Sequence, residues 1–337
     1  MRDWLVAADD RTGAFEVAGL LASLTGPVRV TVGAPPPGNG VVDLQTRSLT
    51  AADAAERCRA VELQPSSWSA HKIDSTLRGN WAAEVLARQA MTGRRIVVLP
   101  GWPQLGRTCI AGAVWANGAY IGRPADALPD AASLESPAAL RSWLVGGDRI
   151  AVCDVPDSDT MHALARVLAG TDVLIAGPGG PIGAAFAAHF GCTELRESRA
   201  LSGRITVVCG SANGVSHEQL GRLAVAFPAV AVHSVPPTGG DLRPEVATAL
   251  AGQVAALLAN DTANDTLNDT LNDTLIVIGG DTAAALLGDA PRLVGGFVAP
   301  GMPWSHDEQG RGPLVVTKAG GFGGPDALVE VLRGETD

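Results

Sequence analysis

The chain has 337 residues, 46% hydrophobic and 18% charged, with a net charge of -10 and a pI near 5.1, which excludes a disordered protein and leaves length for two domains, each with its own core. No run of Lys or Arg stands out, so nucleic acid and anionic membrane surfaces are excluded as partners and the ligand is small and locally read. Five cysteines, Cys58, Cys109, Cys153, Cys192 and Cys209, lack CxxC spacing and read as reduced thiols. The N-terminus carries no long apolar stretch and no apolar run approaches membrane-spanning length, so the expected location is cytoplasmic.

Trp4 to Ala8 reads as a strand that runs into Asp9-Asp10-Arg11-Thr12-Gly13, after which AFEVAGLLASL has helical period. In a parallel sheet such a loop lies at the carboxyl end of a strand, placing Asp9 and Asp10 to meet a substrate or metal; otherwise Asp10 and Thr12 only cap the helix. Val28 to Val32 and Val41 to Gln45 are further strands, the second leading to Asp43 and Arg47, and Thr50 starts a helix. The densest polar stretch follows a strand ending at Ile73: Lys72, Asp74, Ser75, Thr76 and Arg78, then Gly79 and a helix that Asn80 is expected to cap. Two cations, a carboxylate and two hydroxyls suit a sugar acid or phosphate, because an ammonium and a guanidinium bind oxyanions and hydroxyls read hydroxyls. Read blandly, it is a solvated turn.

Arg95 to Leu99 is a buried strand, and the Gly- and Pro-rich stretch after it ends in a hairpin whose turn is Asn117-Gly118. Gly106, Arg107 and Thr108 offer one more anion contact. Residues 122–148 look like a surface excursion, and strands at 150–153 and 173–176 with a helix at 158–168 resume the alternation. Gly177-Pro178-Gly179-Gly180 opens a helix whose amides offer an anion site. Glu194 to Gly203 is the candidate linker.

In the second half, strands at 205–209, 229–235, 275–278 and 314–317 alternate with helices, one of them Pro244 to Leu258. Three of these strands run into small-residue loops: Gly210-Ser211, Gly279-Gly280-Asp281-Thr282, and Lys318 to Gly324 with Gly320, Gly321 and Gly323. Amides without a nearby Cβ wrap an oxyanion, so these loops suggest a phosphate cradle. Neither GxxxxGK[ST] nor, in the first unit, GxGxxG is present, which speaks against a P-loop enzyme and a dinucleotide-binding dehydrogenase. An Asn-Asp-Thr repeat over residues 260–275 reads as an expanded loop without chemistry. The expected fold is α/β with two domains, 1–197 and 203–337, each a mainly parallel sheet flanked by helices.

Taken together, ADDRTGA (8–14), DLQTRS (43–48), KIDSTLRGN (72–80), LPGWPQLGRT (99–108), GS (210–211), GGDTA (279–283) and KAGGFG (318–323) resemble the four-carbon acid sugar kinase family, in family order and across nearly the whole chain. The resemblance implies an enzyme that uses ATP and Mg²⁺ to phosphorylate the 4-hydroxyl of threonate, erythronate or 3-oxo-tetronate. It implies an N-terminal domain that binds the acid sugar through Asp9, Asp10, Arg47, Lys72, Asp74, Ser75, Arg78 and Arg107. The C-terminal domain would bind ATP through Ser211, Gly279, Gly280, Asp281, Thr282, Gly320, Gly321 and Gly323. Asp10, Arg78 and Asp281 are the expected catalytic set. Either Asp10 or Asp281 orients the attacking hydroxyl or the metal, and the metal ligands are not assigned. The chain departs from the family pattern at Arg11, often apolar, at Ala319-Gly320-Gly321, usually Ser-Gly-Asn, and in a short stretch before GGDT. Those departures keep a second reading open, a sensor of the same fold without catalysis. Oligomeric state, a homo-oligomer included, is left open.

Overall fold

Short apolar runs that end in polar loops are what a parallel sheet requires, because both faces of its strands are covered by helices while only their ends meet water. The computed structural model describes residues 2–63, 66–193, 199–201, 203–236, 246, 248–250, 252–254, 256, 273–310 and 312–335. The Asn-Asp-Thr repeat up to residue 272 and the centre of the expected linker, Glu194–Ser198 with Ser202, lie outside them. The chain divides into two compact units, Met1–Thr25 with Val30–Leu195, and Gly26–Arg29 with Arg196–Asp337. Among the described residues no helix is long and apolar enough to cross a membrane.

The first unit holds β1 (Arg2–Ala8), β2 (Val28–Val32) from Val30 onward, β3 (Gly40–Asp43), β4 (Ser66–Lys72) and β5 (Arg95–Val98). It continues with β6 (Arg107–Ile110), β7 (Ala113–Ala116), β8 (Ala119–Gly122), β9 (Ala132–Leu134), β10 (Ile150–Cys153) and β11 (Val173–Gly177). Its main strands lie in the order β2-β3-β1-β4-β11-β5-β10-β9, and every pairing is parallel. From β1 the chain moves to one side for β2 and β3, then crosses to the other for β4. The carboxyl ends of β1, β3 and β4 therefore flank a topological switch point, the place where open α/β sheets take ligands. Leu5, Ala7, Val42, Leu44, Cys58, Val61 and Ala87 form one core under these strands, and Ile73, Trp81, Val85, Ile96, Val98, Val152 and Leu174 belong to another. Strands β6 to β8 form a separate antiparallel sheet, closed by Asn117 and Gly118 at φ 49° and 81° as the Asn-Gly signal requires.

Residues 122–148 are more than a surface excursion. They supply the edge strand β9, parallel to β10, and helices Pro124–Ala127 and Pro137–Gly146, the latter capped by Ser136. Two of the three prolines that suggested a loop, Pro124 and Pro137, sit at the first helical position, where a missing N–H costs nothing.

The second unit holds β12 (Ile205–Cys209), β13 (Ala231–Ser234), β14 (Thr274–Ile278), β15 (Arg292–Ala299), β16 (Met302–Asp307) and β17 (Leu314–Lys318). The order is β13-β12-β14-β17-β16-β15. The first four are parallel, and β16 and β15 add an antiparallel edge. Because β12, β14 and β17 are neighbours, the three small-residue loops that follow them are neighbours too. The helix expected at Pro244–Leu258 is described only at residues 246, 248–250, 252–254 and 256, all helical, with Leu250 and Val254 packed beside Val208, Val277 and Val315.

Candidate active site

Asp9 and Asp10 follow β1, and Arg47 follows β3. Lys72, Asp74 and Arg78 surround the end of β4. Arg47 joins the loops: its Nε and Nη2 lie 3.0 and 2.9 Å from Asp9 Oδ2, its Nη1 2.7 Å from Asp10 Oδ2, and its Nη2 3.4 Å from Asp74 Oδ1. Arg78 grips Asp74 with two prongs, Nε to Oδ2 at 3.0 Å and Nη2 to Oδ1 at 2.7 Å, while 65% of its side chain faces solvent. Lys72 is buried; its Nζ donates to the Ile73 carbonyl at 3.0 Å and lies 3.3 Å from Glu16 Oε1. Ser75 is half-buried in the same turn. Gly79 lies beside Asp9 Oδ2 and Arg47 Cγ at φ 84°, a left-handed conformation that L side chains rarely adopt, so the backbone turn and not the space calls for glycine.

Burial sets the electrostatics. Asp9 is fully buried, and loss of hydration, opposed by Arg47 and assisted by Asp10, raises its pKa to about 7. Its Oδ1 is buried and has no hydrogen-bond partner among the described residues, which leaves it an acceptor for a ligand group. Burial works against the Lys72 ammonium, but Glu16, Asp9, Asp10 and Asp74 outweigh it and hold its pKa above the ordinary value. Asp74 is buried as well, yet Arg78 and Arg47 hold it well below the usual carboxylate range. The cluster is a fixed array of opposite charges, preorganised for a ligand that carries both hydroxyls and an anion.

Behind it, His71 Nε2 lies 2.8 Å from Glu84 Oε2, and Arg88 Nη1 lies 3.4 Å from His71 Nδ1. Burial lowers the pKa of His71, and against its own burial the His71 bond lowers that of Glu84. A neutral imidazole donating from Nε2 and accepting at Nδ1 satisfies both contacts. Cys58 completes a buried trio with His71 and Glu84 whose ligand atoms lie within 4.8 Å of one another. The His71–Glu84 bond and the Arg88 cation beside it account for the trio as a structural network.

In the second unit, a Cβ on Gly320 would run into Ser211 Oγ, and one on Gly210 into Thr282 Oγ1. Gly279, at φ 110°, would bring a Cβ to 3.5 Å from the Ser211 amide. The three loops thus approach one another at the backbone. Lys318 is buried behind them, its Nζ 3.1 Å from the Ala319 carbonyl and 3.4 Å from that of Gly320, and burial lowers its pKa to about 8. A cradle lined by glycine amides with a buried ammonium behind it fits the phosphates of ATP. Asp281 is exposed in the first turn of helix Gly280–Leu287. A cavity of about 600 Å³ lined by Glu218, Arg222, Asp326 and Arg333 contains none of these loop residues.

The structure thus brings Asp9, Asp10, Arg47, Lys72, Asp74 and Arg78 into one cluster and Ser211, Gly279, Thr282 and Gly320 into another. Arg107 is not linked to the first by any of these bonds; its guanidinium turns back to the Leu105 carbonyl of its own loop. Asn80 does not cap its helix. Its Nδ2 donates to the Thr46 and Leu49 carbonyls at 3.0 and 2.9 Å, tying the loop after β4 to the loop after β3. Asp10 does cap, with Oδ1 accepting from the Gly13 amide at 2.8 Å, and also meets Arg47, so capping and site chemistry are not alternatives. The Trp102 ring lies close to Gly179 and Gly180, and a Cβ on Gly179 would also meet Glu16 Oε1, so these two glycines make room for neighbouring side chains. Sequence reasoning missed Glu16, Lys318, Ser216 and Gln219. The first was signalled as the lone carboxylate of an apolar helix, one turn beyond Gly13, and the last two as polar residues on the buried stripe of helix Gly214–Ala226.

Residues 4–132 match the family described as a sugar-binding N-terminal domain. A D-threonate kinase of Cupriavidus necator is 32% identical over 208 residues, a stretch that spans 50% of this chain and only 50% of the relative. The Haemophilus influenzae protein HI1011, of family DUF1537, superposes with a TM-score of 0.70 at 19% identity over 98% of this chain and 99% of that one. A Salmonella typhimurium LT2 protein provisionally named a tRNA synthase does so with a TM-score of 0.73 at 20% identity over 99% of both. At such identities the two structures speak for the fold alone. The sugar-binding match and the kinase relative each cover at most half of the chain, and with the motifs carried in order from residue 8 to residue 323 they make the chain similar to the four-carbon acid sugar kinases.

Proposed function

We propose that the protein transfers the γ-phosphoryl group of ATP to a hydroxyl of a four-carbon sugar acid, D-threonate or a close relative. The observation that carries this reading is the cluster of Asp9, Asp10, Arg47, Lys72, Asp74 and Arg78 at the switch point of the first sheet, within the stretch matched to a sugar-binding domain. The kinase relative supports the reaction class. ATP with Mg²⁺ supplies the phosphoryl group and neutralises part of its charge; such transfer depends on positioning and electrostatics more than on covalent chemistry.

The protein's own residues do the positioning. Asp9 Oδ1, buried and without a partner, accepts a hydrogen bond from a substrate hydroxyl, and Arg47 fixes the carboxylates around it. Arg78, mostly exposed, turns its guanidinium to the substrate carboxylate or to the phosphoryl in transit. Ser211, Thr282 and the glycines at 279, 280, 320, 321 and 323 take the nucleotide, and Asp10 or Asp281 orients the attacking hydroxyl or Mg²⁺. Of the two departures behind the sensor reading, Arg11 and the shortened second domain, the first is accounted for by burial of Arg11 against Asp43. The test is ADP release across D- and L-threonate, erythronate and their 3-oxo forms. Turnover with at least one is expected, and ADP release at background level with all of them would overturn the assignment.

A further inference from the structure

The loop from Ala319 to Gly324 has an unusual division of its polar groups. Its carbonyls are tied down from one side: Ala319 by Lys318 Nζ at 3.1 Å, and Gly320 by Ser216 Oγ at 2.6 Å and Lys318 Nζ at 3.4 Å. Those of Phe322, Gly323 and Gly324 are all bonded to a single group, Gln219 Nε2, at 3.0, 3.3 and 2.8 Å. Gln219 is fully buried on helix Gly214–Ala226 and its Oε1 has no partner. That orientation follows from the carbonyls, since a flipped amide would set oxygen against three oxygens.

In a trans peptide the carbonyl of one residue and the amide of the next point in opposite directions. Tying the carbonyls of 319, 320, 322 and 323 therefore directs the amides of Gly320, Gly321, Gly323 and Gly324 to the opposite side. Those four amides have no acceptor among the described residues. The groups left without partners are thus the ones that the ties aim away, as an oxyanion-binding nest requires.

We infer that Gln219 is the positioning residue of a phosphate-binding loop, holding the peptide planes of 322–324 so that the glycine amides receive the polyphosphate of a nucleotide. This rests on reading the second unit as the nucleotide site. It touches no reacting atom, and it acts through the backbone alone.

The test uses the full chain with Gln219→Leu and, should that variant fold poorly, Gln219→Met. Amide hydrogen exchange over 318–324 in the presence of inorganic triphosphate, and the dissociation constants of ATP and inorganic triphosphate, are measured, with melting temperature as control. Exchange is expected to rise, and affinity for both anions to fall roughly 10- to 100-fold. KM for ATP should rise while kcat at saturating ATP and KM for the acid sugar stay within about twofold. Unchanged exchange and unchanged affinities in a folded variant would overturn the inference and leave the kinase reading standing. Wild-type protein that binds triphosphate but not ATP, with the triphosphate affinity lost in the variant, would overturn the kinase reading and support the role of Gln219. Wild-type protein that binds neither anion would overturn both.

Discussion

Arg11 occupies a position where an apolar residue is more usual, and its surroundings explain how the charge is tolerated. Its Nε lies 2.7 Å from Asp43 Oδ2, with 2% and 0% of the two side chains exposed. A buried pair adds little net stability, but removing one partner strands the other. Arg11→Leu is expected to cost about 3–5 kcal/mol in chemical denaturation, and the double variant with Asp43→Asn to regain at least about half of that. An additive double variant would contradict the pairing. Asp9 gives a pH dependence of defined sign. Its pKa of about 7, against an ordinary 3.8, means that the folded state keeps a proton which the unfolded chain has released. The stability it contributes is complete below about pH 4 and is lost as the pH rises through about 7. The stability difference between wild type and Asp9→Asn should therefore decline from pH 4 to pH 8, and a constant difference would show that Asp9 does not titrate in this window.

Loops at strand ends carry the candidate sites of this chain, and the elements that hold them explain why. In each unit a strand delivers the loop at a fixed height and a following helix fixes its direction, while side chains from neighbouring loops or helices hold it in place. Asn80 performs that last task in the first unit, and Ser216 and Gln219 perform it in the second. Gly279 is the tightest backbone requirement, since its φ of 110° lies where L side chains are strained and it directly precedes helix Gly280–Leu287. Gly279→Ala is expected to cost about 1–3 kcal/mol and to weaken ATP binding at least about tenfold, as the three loops part. Wild-type stability together with wild-type ATP affinity would show that the loop tolerates a Cβ.

The two compact units invite a division of labour that can be tested on the whole protein. Arg78→Lys keeps the charge but loses the planar two-pronged grip on Asp74. Its exposure limits the stability cost to under about 1 kcal/mol, whereas catalytic efficiency should fall about 30- to 1000-fold with ATP affinity within twofold. Gly320→Ala, whose Cβ would meet Ser211 Oγ, should do the reverse, weakening ATP and sparing the acid sugar. Calorimetric titration of each ligand into each variant checks both, and loss of both ligands in either folded variant would contradict separate sites.

The alternation of apolar runs with polar loops was enough to specify an α/β fold, most of the strands, the Asn117-Gly118 hairpin and the loops that matter, because these depend on period and turn chemistry within about ten residues. Ordered motifs carried the family resemblance for the same reason, being local strings. Strand order was not local. Only the assembled sheet sets the loops after β1, β3 and β4 side by side, so that Arg47 meets Asp9, Asp10 and Asp74. Partners 31 to 105 residues apart recast residues that looked simple along the chain: Asn80 ties loops instead of capping, Gly179 and Gly180 make room for Trp102, and Gln219 reaches the loop at 322–324. A side chain's composition advertises which bonds it can make. Which bond it does make is decided by what the fold brings within about 3 Å and removes from water, since in a buried site each donor and acceptor must find its partner or bind a ligand.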